Sequence, residues 1–182
     1  MCDDEPEAVI LVDRQVDVLE LGSTHSRVAA AALITDGGFL GLASVYVHHE
    51  TGRGLTPLQE IVANWKARGI HKWLIGGDFN ARSGQWGPRD VASNQNGRRV
   101  EQWASQENLF VANRPDSLPT YRNSRNHQSW IDLSILSQEA HEKLFKSCRV
   151  IEIEDEFTDH NIIETTLSTT PLAQNSQNHT QN

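Results

Sequence analysis

Lys72-Trp73-Leu74-Ile75-Gly76-Gly77-Asp78-Phe79-Asn80-Ala81-Arg82 is the stretch that decides the fold of this 182-residue chain. Four residues of strand character run into a glycine pair, and an acid and an amide follow two positions apart. Side chains at i and i+2 of an extended chain point to one side, so Asp78 and Asn80 are predicted to stand together at the end of a buried strand. Gly76 and Gly77 carry no Cβ and let backbone or ligand come close. A carboxylate beside a carboxamide on a rigid support suits water activation and the binding of an anionic oxygen. A strand followed by an Asx-type turn explains the same residues without any chemistry, so the rest of the chain has to decide.

The length suits one domain with a sizeable core. A hydrophobic share of 37% and an aromatic share of 7% are ordinary for a globular protein. No apolar run approaches the roughly 18 residues of a membrane span. The start, Met1-Cys2-Asp3-Asp4-Glu5-Pro6, is acidic and lacks the basic-then-apolar pattern of a secretory signal. The 2 cysteines, Cys2 and Cys148, argue against a disulfide scaffold and a thiolate zinc site. An intracellular, non-secreted protein is expected.

The net charge of −8 is unevenly spread. Residues 1–52 carry −7 and residues 150–182 carry −6, whereas residues 53–149 carry +5. The segment holding Asp78 and Asn80 is therefore the basic one, where a polyanion would find its counter-charge.

Residues 8–12 are predicted as a short strand. Residues 27–34 and 39–47 are predicted as a hairpin across Thr35-Asp36-Gly37-Gly38, with Leu40, Leu42, Ser44 and Tyr46 on one face. Thr56-Pro57-Leu58-Gln59 opens a helix with Thr56 as N-cap, proline in the first turn and a capping-box glutamine. Leu58, Ile61, Val62 and Trp65 form its apolar face, and Gly69 ends it. Residues 83–97 form a loop holding Trp86, which either folds over the core or lids a site and stacks on a base.

A helix over 98–107, a strand over 109–112 and a short strand over 119–122 follow. In the strand over 129–136, Ile131, Leu133 and Ile135 share one face, and Trp130, Asp132 and Ser134 the other. Aspartate is depleted in strand interiors, so Asp132 needs an ion-pair partner or a chemical role. A helix over 137–146 and strands over 149–153 and 162–167 complete the pattern. One domain is expected over 1–170, with a disordered Gln/Asn/Ser/Thr tail over 171–182.

Three polar islands stand at strand edges: Asp78 with Asn80, Asp132, and Asp159 with His160. Their chemistry fits together. Asp132 can accept a hydrogen bond from one ring nitrogen of His160, leaving the other for a phosphate or a water. Asp78 can orient or deprotonate the attacking water, Asn80 can donate to a non-bridging oxygen, and Tyr46 adds a hydroxyl. A pentavalent phosphorus centre needs a divalent cation held by carboxylates.

In Gly77-Asp78-Phe79-Asn80-Ala81, Trp130-Ile131-Asp132-Leu133, Thr158-Asp159-His160 and Val45-Tyr46-Val47, the chain resembles the endonuclease/exonuclease/phosphatase superfamily with its DNase I-like fold. The resemblance runs over about residues 9–167. Ser83 with Trp86-Gly87, Asn113 before Pro119-Thr120-Tyr121, and Ser129-Trp130-Ile131-Asp132 look like the apurinic-type endonuclease domain of non-LTR retrotransposons. It implies an α/β, four-layer sandwich of two mainly antiparallel sheets flanked by helices.

The catalytic residues it implies are Asp78, Asn80, Asp132, His160 and Tyr46. Asp159 falls on the metal side, and Trp86, Asn113, Thr120 and Arg122 are substrate-binding candidates. The cofactor it implies is Mg²⁺ or Mn²⁺, and the partner is DNA, with no membrane and no protein partner. A nuclear location follows if the chain acts as a retroelement endonuclease.

Departures from the family pattern are also expected. The first strands, with their asparagine and the principal metal-binding glutamate, are expected to be absent, and Glu5-Pro6 is a coincidental match to the glutamate motif. A sheet edge left exposed in this way favours oligomers or aggregates. His48-His49 follows Tyr46-Val47 where the family has proline and often asparagine. Three functions remain compatible: a retrotransposon-type DNA endonuclease, an inactive truncated remnant with weak DNA binding, and a phosphatase of the same superfamily.

Overall fold

A computed structural model of the chain describes residues 5–20, 25–153 and 158–169. Its centre is the hairpin β2 (Val28–Thr35) and β3 (Gly38–Tyr46), registered so that Thr35 faces Gly38 across the turn. Gly38 takes a φ of 95°, the left-handed region that a glycine enters without a Cβ clash. A short strand, β1 (Val18–Glu20), pairs with β2 on one side. Helix α1 (Leu55–Ala67) carries the chain to β4 (Trp73–Asp78), which lies parallel to β3.

Helix α2 (Gln95–Glu107) and the short strand β5 (Phe110–Val111) follow. The small hairpin β6 (Tyr121–Arg122) and β7 (Gln128–Ser129) leads into β8 (Asp132–Leu136), antiparallel to β4. Helix α3 (Gln138–Leu144) then leads to the antiparallel pair β9 (Phe145–Ile151) and β10 (Ile162–Leu167). The main sheet has the order β1-β2-β3-β4-β8-β5. Its β3–β4 pairing is parallel and its other pairings are antiparallel.

Alternation along the strands gives the sheet two faces. Ala43, Val45, Ile75, Leu133 and Ile135 point to one side, where Leu58, Val62 and Trp65 of α1 and Val100 and Trp103 of α2 close the core. On the other side Ser134 meets Thr165 of β10, hydroxyl to hydroxyl at 2.7 Å. Phe145, Cys148 and Leu167 pack there against Leu136. Helices thus cover the main sheet and a smaller sheet stacks beneath it, the α/β layering that the sequence predicts. The two are held in place by non-local burial rather than by propensity.

Several boundaries differ from the sequence prediction, each for a local reason. Residues 8–12 are not a strand. Glu7 N and Ala8 N donate to Ser26 O, no strand pairing of 8–12 follows among the described residues, and Val9 and Leu11 are 59% and 93% exposed. Helix α1 begins at Leu55 with Gly54, not Thr56, as its N-cap. The chain doubles back so tightly that a Cβ on Gly54 would lie 2.4 Å from Tyr46 O. Helix α2 begins three residues early because Asn94 caps it, its side chain accepting from Gly97 N.

The predicted strand over 129–136 is broken at Trp130 and Ile131 into β7 and β8. Strand β9 starts at Phe145, where the backbone leaves the helix and the ring packs edge-on against Phe110 at 5.4 Å. Strand β10 has the predicted ends. The predicted tail over 171–182 lies outside the described residues.

Candidate active site

Parallel pairing sets Tyr46 of β3 opposite Asp78 of β4, and antiparallel pairing sets Asp78 opposite Asp132 of β8. Cα partners on adjacent strands point to the same face, so these three side chains form one row across the strand ends. The sequence places Tyr46 and Asp78 near strand ends and Asp132 inside a longer strand, whose break at residues 130–131 puts Asp132 at the start of β8. The registers that align them come from contacts more than thirty residues apart in the chain.

Strand β4 reaches this row because Gly77 lets it lie against β3. Gly77 has φ 148°, and a Cβ there would sit 2.0 Å from Val45 O, whereas a Cβ on Gly76 meets nothing within 4 Å. Gly77→Ala is therefore expected to cost roughly 3 kcal/mol or more, and Gly76→Ala less than about 1 kcal/mol. Denaturant melts of the two variants check the contrast.

Asn80 does not continue the strand. Its φ of 47° turns it left-handed, and Asp78 Oδ1 accepts from Asn80 N at 2.8 Å, an Asx-type turn. The side chain folds back, and its Nδ2 donates to Val47 O at 3.0 Å and to Asp78 Oδ2 at 3.2 Å. The turn and the paired polar groups, alternatives in the sequence, are one structure. Asp78 is mostly buried and faces a second carboxylate. Burial first, and the Asp132 charge second, push its pKa up to about 6, against the opposing pull of Asn80 N, His160 and His49.

His160 reaches the row from the smaller sheet. Its Nδ1 lies 3.0 Å from both oxygens of Asp132, so the ring donates from Nδ1 and leaves Nε2 free. The hydrogen bond to Asp132 is the main reason its pKa is raised above the usual imidazole value, with burial opposing. Asp78, Asp132 and His160 each bring one ligand atom within 4.8 Å of the others.

The remaining candidates fall in different places. Asp159 is exposed; its backbone oxygen accepts from Arg122 N at 2.8 Å, and its charge helps to raise the His160 pKa. Trp86 is fully buried and donates from Nε1 to Ala81 O at 2.9 Å, bracing the loop after Asn80 from within. Asn113 and Thr120 are also buried, with their side chains on the backbone around Asp132. Arg122 is half-exposed and pairs with Glu152 at 2.7 Å, while its buried Nε has no hydrogen-bond partner among the described residues.

Two further residues meet the site. Tyr121 packs edge-on against His160, ring centroids 5.0 Å apart. His49 stacks on His48 at 4.7 Å, and its charge acts on Asp78. The sequence marks His48-His49 only as a departure from the family pattern, and Tyr121 only as part of a string.

No curated protein matches the chain. Among solved structures it is similar to the endonuclease domain of TRAS1, a telomere-specific non-LTR retrotransposon, at 21% identity over 86% of this chain and 68% of that one, with a TM-score of 0.67. It is similar to the APE2 catalytic domain of Xenopus laevis at 16% identity over 82% of this chain and 58% of that one, TM-score 0.60. The 3′ phosphatase NExo from Neisseria, bound to a product DNA hairpin, matches at 16% identity over 85% and 72%, TM-score 0.60. At these identities the likeness shows the fold, which is DNase I-like. The endonuclease-reverse transcriptase family model matches residues 40–181, more than half of the chain, and the protein belongs to that family, within the endonuclease/exonuclease/phosphatase superfamily.

Proposed function

We propose that this chain is a metal-dependent phosphodiesterase that nicks DNA, of the kind carried by non-LTR retrotransposons. The observation that carries this is the row Tyr46–Asp78–Asp132 with His160 seated on Asp132. Its residue types and order match hydrolytic phosphate chemistry. The likeness to the TRAS1 endonuclease domain and to a phosphatase bound to DNA supports the substrate class.

The residues present fit a divalent cation. Asp78 and Asp132 are adjacent carboxylates, and Asp132 raises the pKa of Asp78, a repulsion that a cation would relieve. Hard Mg²⁺ or Mn²⁺ prefers oxygen to imidazole, so Asp78 and Asp132 would hold it, with the exposed Asp159, whose charge reaches His160, as a further oxygen ligand. When bound, it would supply charge neutralisation at the phosphorus centre.

The chain's own groups do the rest. Asp78, the carboxylate beside Asn80, orients the attacking water and takes its proton. Asn80 gives up its longer bond, to Asp78, to donate to a non-bridging oxygen. His160, held through Nδ1 by Asp132, presents Nε2 to another phosphate oxygen. Tyr46 directs its hydroxyl to the phosphate or the leaving oxygen, whose bond to phosphorus breaks as the water oxygen's bond forms and which takes up a proton from water. Arg122 and the basic segment 53–149 receive the flanking DNA backbone. Such a protein would act in the nucleus, and β1, an edge strand of the main sheet among the described residues with Leu19 43% exposed, would be the place for self-association.

A supercoiled-plasmid assay tests the proposal. Nicking is expected with Mg²⁺ or Mn²⁺, and it should disappear with EDTA and with Asp78→Ala. No nicking with either cation makes this chain an inactive relative, and unchanged nicking in Asp78→Ala removes Asp78 from the chemistry. Phosphate release from a 3′-phosphorylated oligonucleotide without nicking assigns it to the phosphatases.

A further inference from the structure

Asp132 opens β8 directly after the break at Trp130 and Ile131, where the backbone has left the β6–β7 hairpin. Amides at such a break need partners when they are buried. One oxygen supplies two of them: Thr120 Oγ1 accepts from Ile131 N and from Asp132 N, each at 3.0 Å. The Thr120 hydroxyl donates in turn toward Ser129 O at 3.4 Å. Thr120 is wholly buried, so water cannot take its place without opening the fold.

The same residue also grips the chain that carries His160. Thr120 O accepts from Asn161 N at 2.8 Å, and Pro119 O accepts from Asn161 Nδ2 at 2.8 Å. Arg122 N donates to Asp159 O at 2.8 Å. Residues 119–122 therefore hold both neighbours of His160 through their backbone. Through one hydroxyl they also hold the peptide of the carboxylate that His160 meets. From the opposite side Asn113 completes the hold, with its Nδ2 on Asp132 O at 3.0 Å and its Oδ1 accepting from Ser134 N at 2.8 Å.

We propose that Thr120 is a positioning residue that couples Asp132 to His160, with Asn113 as its counterpart on the far side of the Asp132 peptide. This rests on the phosphodiesterase proposed above for its kinetic consequence, but the coupling itself belongs to the fold. A buried hydroxyl shared by two amides fixes where β8 begins. The carbonyl of the same residue fixes where the His160 segment lies. The 3.0 Å contact between Nδ1 and the carboxylate follows from the two together. Both side chains are buried and turned to backbone groups.

Thr120→Val keeps the shape and removes the oxygen, and Thr120→Ser keeps the oxygen. In the metal-free protein, ¹⁵N and proton spectra of the His160 ring should show the carboxylate-bonded Nδ1–H in the wild type and in Thr120→Ser, and lose it in Thr120→Val. In the nicking assay, Thr120→Val should lower kcat by roughly 10–100-fold with KM for DNA within about twofold. Thr120→Ser should stay near wild type. If Thr120→Val fails to fold, Thr120→Ala removes the same oxygen without placing a methyl there and takes over the comparison. A His160 signature unchanged in the folded variant overturns the proposal, as does a change confined to KM. Loss of the signature in a chain that never nicks DNA would uphold the coupling and sink the function instead.

Discussion

Asp78→Asn is expected to lower nicking by roughly 10²–10⁴-fold while making the metal-free protein more stable at neutral pH. The folded protein holds the Asp78 proton at about 6, against 3.8 for a free carboxyl. It therefore binds that proton more tightly than the unfolded chain does. Stability falls as pH rises from about 4 to about 6, and stays low above that. With its partial exposure allowed for, the ionised carboxylate costs on the order of 1–2 kcal/mol. Asparagine keeps the shape without the charge, so the gain should be present at pH 7.5 and absent at pH 4. Thermal melts at the two pH values check the sign, and Mg²⁺ should raise the melting temperature of the wild type more than that of the variant.

His160→Ala should likewise cost roughly 10²–10⁴-fold in activity, and Asp132→Asn roughly 10–100-fold. The pH dependence separates their roles. A histidine whose pKa is raised by its carboxylate contributes stability that is fully present below its ordinary value of 6.5 and lost as pH rises through the folded value. Removing the Asp132 charge also relieves Asp78, which matters only where Asp78 is ionised. Both effects act in one direction, so the stability cost of Asp132→Asn should be largest near pH 5 and shrink by pH 8. Urea melts at those two pH values measure it, and a cost that grew with pH would show that His160 and Asp132 are not coupled as described.

Much of the frame was legible in the residues. Thr35-Asp36-Gly37-Gly38 is a turn signal strong enough to place the β2–β3 hairpin, and the spacing of Leu58, Val62 and Trp65 places α1 against the core. Strand β10 runs from Ile162 to Leu167, the predicted bounds. The boundaries that moved did so where a distant contact outweighed local preference. Gly54 starts α1 because the backbone passes Tyr46, and residues 8–12 form no strand, tied to the hairpin only near Ser26 among the described residues.

The candidate site divides in the same way. Residue type and motif order single out Asp78, Asn80, Asp132 and His160 as groups with compatible chemistry. The three-dimensional arrangement is what turns Asn80 back onto Asp78, folds Trp86 into the core, the first of its two readings, and brings His49 and Tyr121 to the site. Thr120 shows the limit most clearly, because nothing about an isolated threonine tells that its oxygen will serve the amides of residues 131 and 132.

By itself, then, the sequence determined the family, the hairpin at the centre of the sheet and the kinds of groups in the site. These depend on turn chemistry, periodicity and motif order, which act over a few residues. Only the tertiary structure decided that Tyr46, Asp78 and Asp132 stand in one row and that His160 closes on it. Strand register and burial are set by contacts between segments tens of residues apart, and a one-residue slip would turn those side chains to the other face.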